Sequence, residues 1–376
     1  MNCEVDTQPA NIEGVKELKT WKQVREFVMG EEMFQEIEAG FFDWNGTLNS
    51  EKEDVFFPIH GLQALSKVCL IGMITGSGPY SFASKIVGKL KNLLVVPEKT
   101  TYGEIFPLGV VVNHGPVTLD SKSEIGTIIS KGLKEELFST EVVEKLTENI
   151  KKVLNDQNKW PGIEWVAFYP SLKHLDQDES IFYNYVYYAE DISRLDKVAE
   201  RYNDQVILLE DVKKFSNLLL ELNSSKLVIK LEKSGSLDGL KETLLEGIGE
   251  DEIRVEMNRD EGDGKGERMV ILPPRTDKLS VMQKMIDKAG LNDVSKIYFG
   301  NATNDFESLV EAKIGVIVGK KEWELTRELT EKVLEKREKE GKEGLLLVVH
   351  PEEVDFMLQV LAAAIRLGNK IGEIEE

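Results

Sequence analysis

Short, unbroken apolar runs lie towards both ends of the chain, each closed by glycine or a polar cluster. AGFF (Ala39–Phe42), VCLIGMIT (68–75) and LGVVVNHG (108–115) come first; SKIYFG, AKIGVIVG and GLLLVVH come last. A short run that is apolar at successive positions suits a strand buried on both faces, as in a parallel sheet. Between these runs the apolar residues recur at helical spacing, so GLQALSKV, TDKLSVMQKMIDKAGL, 323–341 and 352–367 read as helices. Val15, Leu18, Trp21, Val24, Phe27 and Val28 follow the same spacing and predict helix across residues 12–38. Strands alternating with helices imply an α/β fold with a parallel sheet.

The texture changes from about residue 117 to 269. VVEKLTENIKKVL is an amphipathic helix, WVAFYP and FYNYVYYAE are aromatic and β-rich, and DQVILLE and SKLVIKLE read as strands. Helices are expected around 192–202, 212–222 and 237–245. IRVEMN and ERMVILPP flank the acidic loop RDEGDGKG and predict a hairpin; the loop lacks the ligand spacing of a calcium-binding helix pair. The expected organisation is therefore an N-terminal helical extension (1–38), a core built from 39–116 and 270–376, and an inserted α+β module (117–269). The aromatic segments at 165–187 either line a pocket or fill the module's core, and burial statistics favour the core.

A length of 376 residues exceeds one ordinary hydrophobic core and supports this division. The net charge of −20 argues against nucleic acid and anionic membrane surfaces as partners. It also means that an anionic small molecule needs local positive charge to bind. Cys3 and Cys69 offer no disulfide framework, and His60, His114, His174 and His350 show no zinc spacing. The first residues lack a basic segment followed by an apolar one, and VLAAAIRLG is too short to span a bilayer; both point to the cytoplasm. Oligomeric state leaves no mark in the sequence.

Two strand ends carry candidate chemistry. In AGFFDWNGTL, Asp43 follows an apolar run and precedes a turn, which places its carboxylate at the carboxyl end of a strand, where open α/β sheets bind ligands. Asp43 is then a nucleophile, a metal ligand or both, or it serves only the turn backbone. Thr75 closes the 68–75 run beside Gly76-Ser77-Gly78, whose small residues let backbone N–H groups approach an anion. A helix from Tyr80 onward is expected to present its N-terminus nearby. Thr75 serves equally well as a turn cap.

Asp43 in DWNGT, Thr75 in ITG, Lys278 in TDK and Asn301 to Asp305 in GNATND occur in this order, each at a strand end or helix start. The set resembles the haloacid dehalogenase (HAD) superfamily of phosphatases, over most of 39–117 and 270–348, with NDFESLVEAKIGVIVGK the most specific segment. An insert between Thr75 and Lys278 resembles the subgroup with a large α/β cap, which includes sucrose-phosphate phosphatases and other sugar-phosphate phosphatases. The resemblance implies a Rossmann-like parallel-sheet core with an inserted α+β cap. It implies that Asp43 attacks phosphorus and that Mg²⁺ is held by Asp43, the backbone of Asn45 and the Asn301–Asp305 loop. It also implies that Thr75, Gly76 and Lys278 hold the phosphoryl oxygens of a small phosphorylated metabolite.

Two positions depart from the pattern. The superfamily motif is DxDGT, and its second Asp, which protonates the leaving group and activates water, is Asn45 here. The loop motif is GDxxND, and its first Asp is Asn301 here. An amide does no proton transfer, and general acid–base help is worth about 10²–10⁴ in rate. Two expectations follow: a slow Mg²⁺-dependent phosphatase, or a degenerate member that binds a phosphorylated ligand as a sensor or regulatory subunit.

Overall fold

The computed structural model describes residues 15–49, 57–78, 82, 86, 100–112, 117–119, 121–122, 124, 130–132, 138–155, 162–170, 185–202, 206–222, 224–231, 237–259, 267–274, 276–291 and 293–375. The acidic turn at 260–266 and most of the expected helix after Tyr80 lie outside them.

The apolar runs form one sheet. Its strands are β1 (Val15–Leu18), β2 (Ala39–Phe42), β3 (Leu70–Ile74), β4 (Gly109–Val112), β5 (Val117–Leu119) and β6 (Ser130–Gly132) from the first part of the chain. A second sheet holds β7 (Ile163–Pro170), β8 (Tyr185–Tyr188), β9 (Val206–Leu209), β10 (Ser224–Leu231), β11 (Arg254–Arg259) and β12 (Glu267–Leu272). The chain then returns to the first sheet with β13 (Lys296–Gly300), β14 (Ile314–Val318) and β15 (Leu345–Val349). Among the described residues the first sheet runs β1-β15-β14-β13-β2-β3-β4-β5-β6 and the second β11-β12-β10-β7-β8-β9. From β1 to β4 every pairing in the first sheet is parallel; β5 and β6 add antiparallel.

Both faces of the first sheet are covered. On one, Phe42, Ile71 and Phe299 pack with Val24 and Val28 of helix Trp21–Gly30, Leu62 of Ile59–Leu65, and Met357 and Leu361 of Val354–Glu375. On the other, Phe41, Tyr298 and Ile317 meet Met282 of helix Lys278–Lys288, Leu309 of Phe306–Glu311 and Leu329 of Glu324–Glu340. The second sheet lays one face on helices Thr140–Asn155, Val212–Leu222 and Leu237–Leu244. Its other face gathers Trp165, Ala167, Tyr187, Val228 and Val270, so Trp165 and Tyr187, like Phe168 on the opposite face, fill the module's core. No helix among the described residues is long and apolar enough to cross a membrane.

Two expectations about this architecture need correction. Residues 15–18 are not helical: they form β1, in parallel register with β15 from Val15–Leu346 to Leu18–Val349. The helix starts only after Thr20, whose extended backbone and side chain cap it by accepting from the Gln23 N–H. The helical spacing of Val15 and Leu18 was coincidental, and the unpaired edge of β15 decided the matter. The break placed at 117 also falls later. β5 and β6 continue the first sheet through Gly132, because an antiparallel return can follow β4 without a crossover.

If β1 belongs to the cooperative core, truncating its fully buried Leu18 to Ala should cost about 2–5 kcal/mol in urea unfolding. A loss below about 1 kcal/mol, the range of surface changes, would show that β1 is a loosely attached edge.

Candidate active site

The carboxyl end of β2 delivers Asp43. Its N–H donates to the Phe299 carbonyl at 2.9 Å, extending the β2–β13 ladder by one step, and its side chain is 6% exposed. The chain turns at once: the Trp44 carbonyl accepts from Leu48 and Asn49, and Gly46 takes φ +75°. A Cβ at Gly46 would sit 2.0 Å from Asn301 Nδ2, so this turn and the loop after β13 meet where only glycine fits. Asn301 Oδ1 accepts from the Thr47 hydroxyl at 3.1 Å.

Lys278 reaches the same point from the first turn of helix Lys278–Lys288, which Asp277 caps by accepting from the Ser280 N–H. Its Nζ lies 2.9 Å from Asp43 Oδ1 and 2.7 Å from Asp305 Oδ1, with Asn304 Oδ1 at 3.3 Å. The Lys278 side chain is 1% exposed and that of Asp305 is fully buried. One cation therefore serves two buried carboxylates. Burial pushes the Asp43 carboxyl up to about 6; Lys278 pulls it down and Asp305 adds repulsion. Burial also works against the Lys278 ammonium, but Asp305 and Asp43 together hold it at about 12. The shorter contact goes to Asp305, so Asp43 is the less firmly neutralised of the two.

Asp305 folds back over its own loop. Its Oδ1 accepts from Lys278 and from the Tyr298 hydroxyl at 2.7 Å; its Oδ2 accepts from the Asn301 and Ala302 N–H groups, both at 3.0 Å. A Cβ on Gly300 would meet Asp305 Cγ at 2.5 Å, so glycine there admits the fold-back. A carboxylate offers about four lone-pair positions, and four donors fill them. In this arrangement Asp305 fastens the loop to Lys278 and Tyr298. The groups that would hold a cation are the Asp43 carboxylate, the Asn45 carbonyl and Asn301 Oδ1. That donor set fits Mg²⁺ of the kind held by a single carboxylate together with ligand phosphate oxygens and water.

Thr75 lies at the carboxyl end of β3, beside the Asp43 strand, fully buried. Its N–H donates to the Val111 carbonyl and its Oγ1 accepts from the Ser77 N–H at 3.1 Å. The hydroxyl thus closes the turn that was the alternative reading, and its own proton is still available to an anion. Asn45 Nδ2 donates to Ser77 Oγ at 2.8 Å and ties the two turns together. The second sheet reaches in as well: Lys226 Nζ on β10 donates to the Gly76 carbonyl at 3.1 Å, and Arg254 on β11 pairs with Asp277 at 3.3 Å.

The residues picked from the sequence (Asp43, Asn45, Thr75, Gly76, Lys278, Asn301 and Asp305) thus lie on adjoining turns at one end of the first sheet. Tyr298, Ser77 and Lys226 were missed. Tyr298 sat in an apolar run and read as core. Lys226 had a legible signal, because period-two alternation in SKLVIKLE puts it on the face opposite Leu227, Ile229 and Leu231.

No family model matches the chain, and no curated protein matches it by sequence. Solved structures do match in shape. A HAD subclass IIB sugar phosphatase aligns at TM-score 0.50 and 15% identity, over 87% of this chain and 98% of its own. TM0651 from Thermotoga maritima aligns at 0.53 and 17%, over 86% and 97%. A haloacid dehalogenase-like hydrolase from Bacteroides thetaiotaomicron aligns at 0.53 and 16%, over 88% and 99%. The likeness is one of fold, an α/β core carrying an inserted α/β module, and it is shared with solved structures that include a HAD subclass IIB sugar phosphatase.

Two measurements check this geometry. Gly46→Ala should destabilise the protein by more than the roughly 1–2 kcal/mol that a left-handed backbone costs a residue with a Cβ. Introducing Asn301→Ala as well should recover the excess, a coupling of about 1 kcal/mol or more; additive losses would mean that the two turns do not touch.

The second concerns pH. The folded-state pKa of Asp43, about 6, lies above its ordinary 3.8, so folding favours the protonated acid. That contribution is fully present below about pH 4 and is lost as pH rises through 6. Asp43→Asn should therefore gain on wild type by about 1–3 kcal/mol between pH 4 and pH 8. A pH-independent difference in thermal unfolding would contradict the raised value.

Proposed function

We propose that this chain is a slow, cytoplasmic HAD-type phosphatase acting on a phosphorylated sugar or a similar small metabolite. The observation that carries the reading is the Lys278 ammonium shared between Asp43 and Asp305, beside the Thr75 turn. In this reading Asp43 attacks phosphorus in line and forms an aspartyl-phosphate, which water then hydrolyses. Lys278 supplies fixed positive charge at the ligand site of a chain whose net charge is −20. Thr75 Oγ and the N–H groups of the Gly76–Gly78 turn hold phosphoryl oxygens. Asp305, Tyr298 and the Asn301 and Ala302 N–H groups keep Lys278 and the loop in register. Asp43, the Asn45 carbonyl and Asn301 would hold Mg²⁺, which when bound offsets charge between the nucleophile and the phosphoryl group. The net charge of −20 argues against nucleic acid and anionic membranes as partners.

A second reading has its own support. The Asn45 amide is engaged with Ser77 and cannot exchange a proton, and the site offers a single carboxylate to a metal. These features suit a protein that binds the phosphorylated ligand and does not turn it over.

One experiment separates them. With an activated aryl phosphate, which needs no protonation to leave, the wild type should give a burst of phosphoryl-enzyme followed by slow turnover. Asp43→Asn should abolish the burst. Asn45→Asp should speed the slow phase, and Asn45→Asp with Asn301→Asp should speed it further. If the double variant is inert while phosphorylated sugars still bind by calorimetry, the chain is a binding protein.

A further inference from the structure

Lys226 is the one feature of the site that the reading above leaves without a task. It is a cap residue in the middle of β10, with its side chain 5% exposed, yet its ammonium reaches the core and donates to the Gly76 carbonyl at 3.1 Å. The ammonium also lies over the Tyr169 ring of β7, 4.7 Å from its centroid. Lysine so deeply buried is expensive unless its charge is used or neutralised. The charged groups facing it are Glu256 of β11, Arg268 of β12 and Lys278, a single carboxylate against two further cations. Glu256 is itself engaged by Arg254, Nε to Oε1 at 3.2 Å. Burial, opposed by Glu256 and reinforced by Arg268 and Lys278, brings the Lys226 ammonium down to about 7. An ammonium in that range gives up and regains a proton at neutral pH, which Lys278, held at about 12, does not.

Its place in the fold fits a defined role. In-line attack by Asp43 expels the leaving oxygen on the side of phosphorus away from the core nucleophile, towards the cap. Lys226 enters from the cap and ends on the turn that follows Thr75. Asn45, the position that should transfer this proton, instead donates its amide to Ser77. We propose that Lys226 takes over the proton transfer that Asn45 cannot perform. The proposal rests on the Asp43 phosphatase reading and deepens it.

The step balances. As the Asp43 oxygen bonds to phosphorus and the ester P–O bond breaks, the Lys226 Nζ proton moves to the departing alkoxide; the products are alcohol, aspartyl-phosphate and neutral lysine. In hydrolysis, water oxygen bonds to phosphorus and the P–O bond to Asp43 breaks. The water proton returns to Nζ, leaving Asp43 ionised, Lys226 charged and hydrogen phosphate free.

The test uses the full chain, an alkyl sugar phosphate and an activated aryl phosphate, with phosphoryl-enzyme formation measured in single turnover. Lys226→Met should slow the alkyl substrate by about 10²–10⁴ and the aryl substrate far less, since only the alkoxide needs a proton. Lys226→Arg keeps the charge but holds its proton, so it should share that selective loss. In the wild type, phosphorylation by the alkyl substrate should fall as pH rises through about 7, and this limb should vanish in Lys226→Arg. Lys226→Met removes one partner of the buried Glu256, so its folding is checked by thermal unfolding; Lys226→Arg keeps the charge and carries the test if the Met variant does not fold. A wild-type rate in Lys226→Arg overturns the proposal and assigns the residue a purely electrostatic task. Equal losses on both substrates also overturn it. Absence of phosphoryl-enzyme in the wild type with either substrate would instead refute the Asp43 reading on which it stands.

Discussion

The site hangs on an imbalance: one buried ammonium between two buried carboxylates. Lys278 cannot fully satisfy both, and the geometry settles the allocation. Asp305 receives the shorter contact, a tyrosine hydroxyl and two backbone N–H groups; Asp43 receives a share of Lys278 and little else. Removing Lys278 would strand two charges in a dry interior, which ordinarily costs about 3–5 kcal/mol. The parallel sheet, the cap of helix Lys278–Lys288 and the Gly300 fold-back all serve to keep these groups within reach of one another.

This allocation changes what the two asparagines mean. Asn45 and Asn301 are near-isosteres of the aspartates in the motifs they resemble, so turns of that shape are kept without the charge. Asn301 still wedges against Gly46 and still accepts from Thr47; Asn45 still bridges to Ser77. With both positions neutral, the site is left with less negative charge to repel an anionic ligand, and two lysines, Lys278 and Lys226, converge on it.

Much of this was legible in the sequence, for a physical reason. Strands buried on both faces write unbroken apolar runs, and the turns after β2, β3 and β13 carry polar residues that such a run would otherwise exclude. Asp43, Thr75 and Asn301 were visible against that background. β1 was not, because a four-residue edge strand has too short a pattern to compete with the helical spacing of Val15, Leu18 and Trp21. Its pairing is decided by β15, far away in the chain. The fold-back of Asp305 was hidden for a similar reason: position alone cannot tell a carboxylate that faces a ligand from one that faces its own backbone. The alternation in SKLVIKLE gave the face on which Lys226 lies, but not that this face meets the Gly76 turn, which is a contact between distant parts of the chain.

The pairing of β1 with β15 also sets an order of assembly. The two strands are among the first and the last segments of the sheet to leave a ribosome, and helix Val354–Glu375, which covers helices Trp21–Gly30 and Ile59–Leu65, emerges later still. Until then the early strands and helices have half of their apolar cover missing. The cap, whose strands and helices are contiguous in the chain, has its partners at hand much sooner. During synthesis the inserted module therefore has the means to fold first, and the sheet that carries Asp43 is closed last, from its two ends.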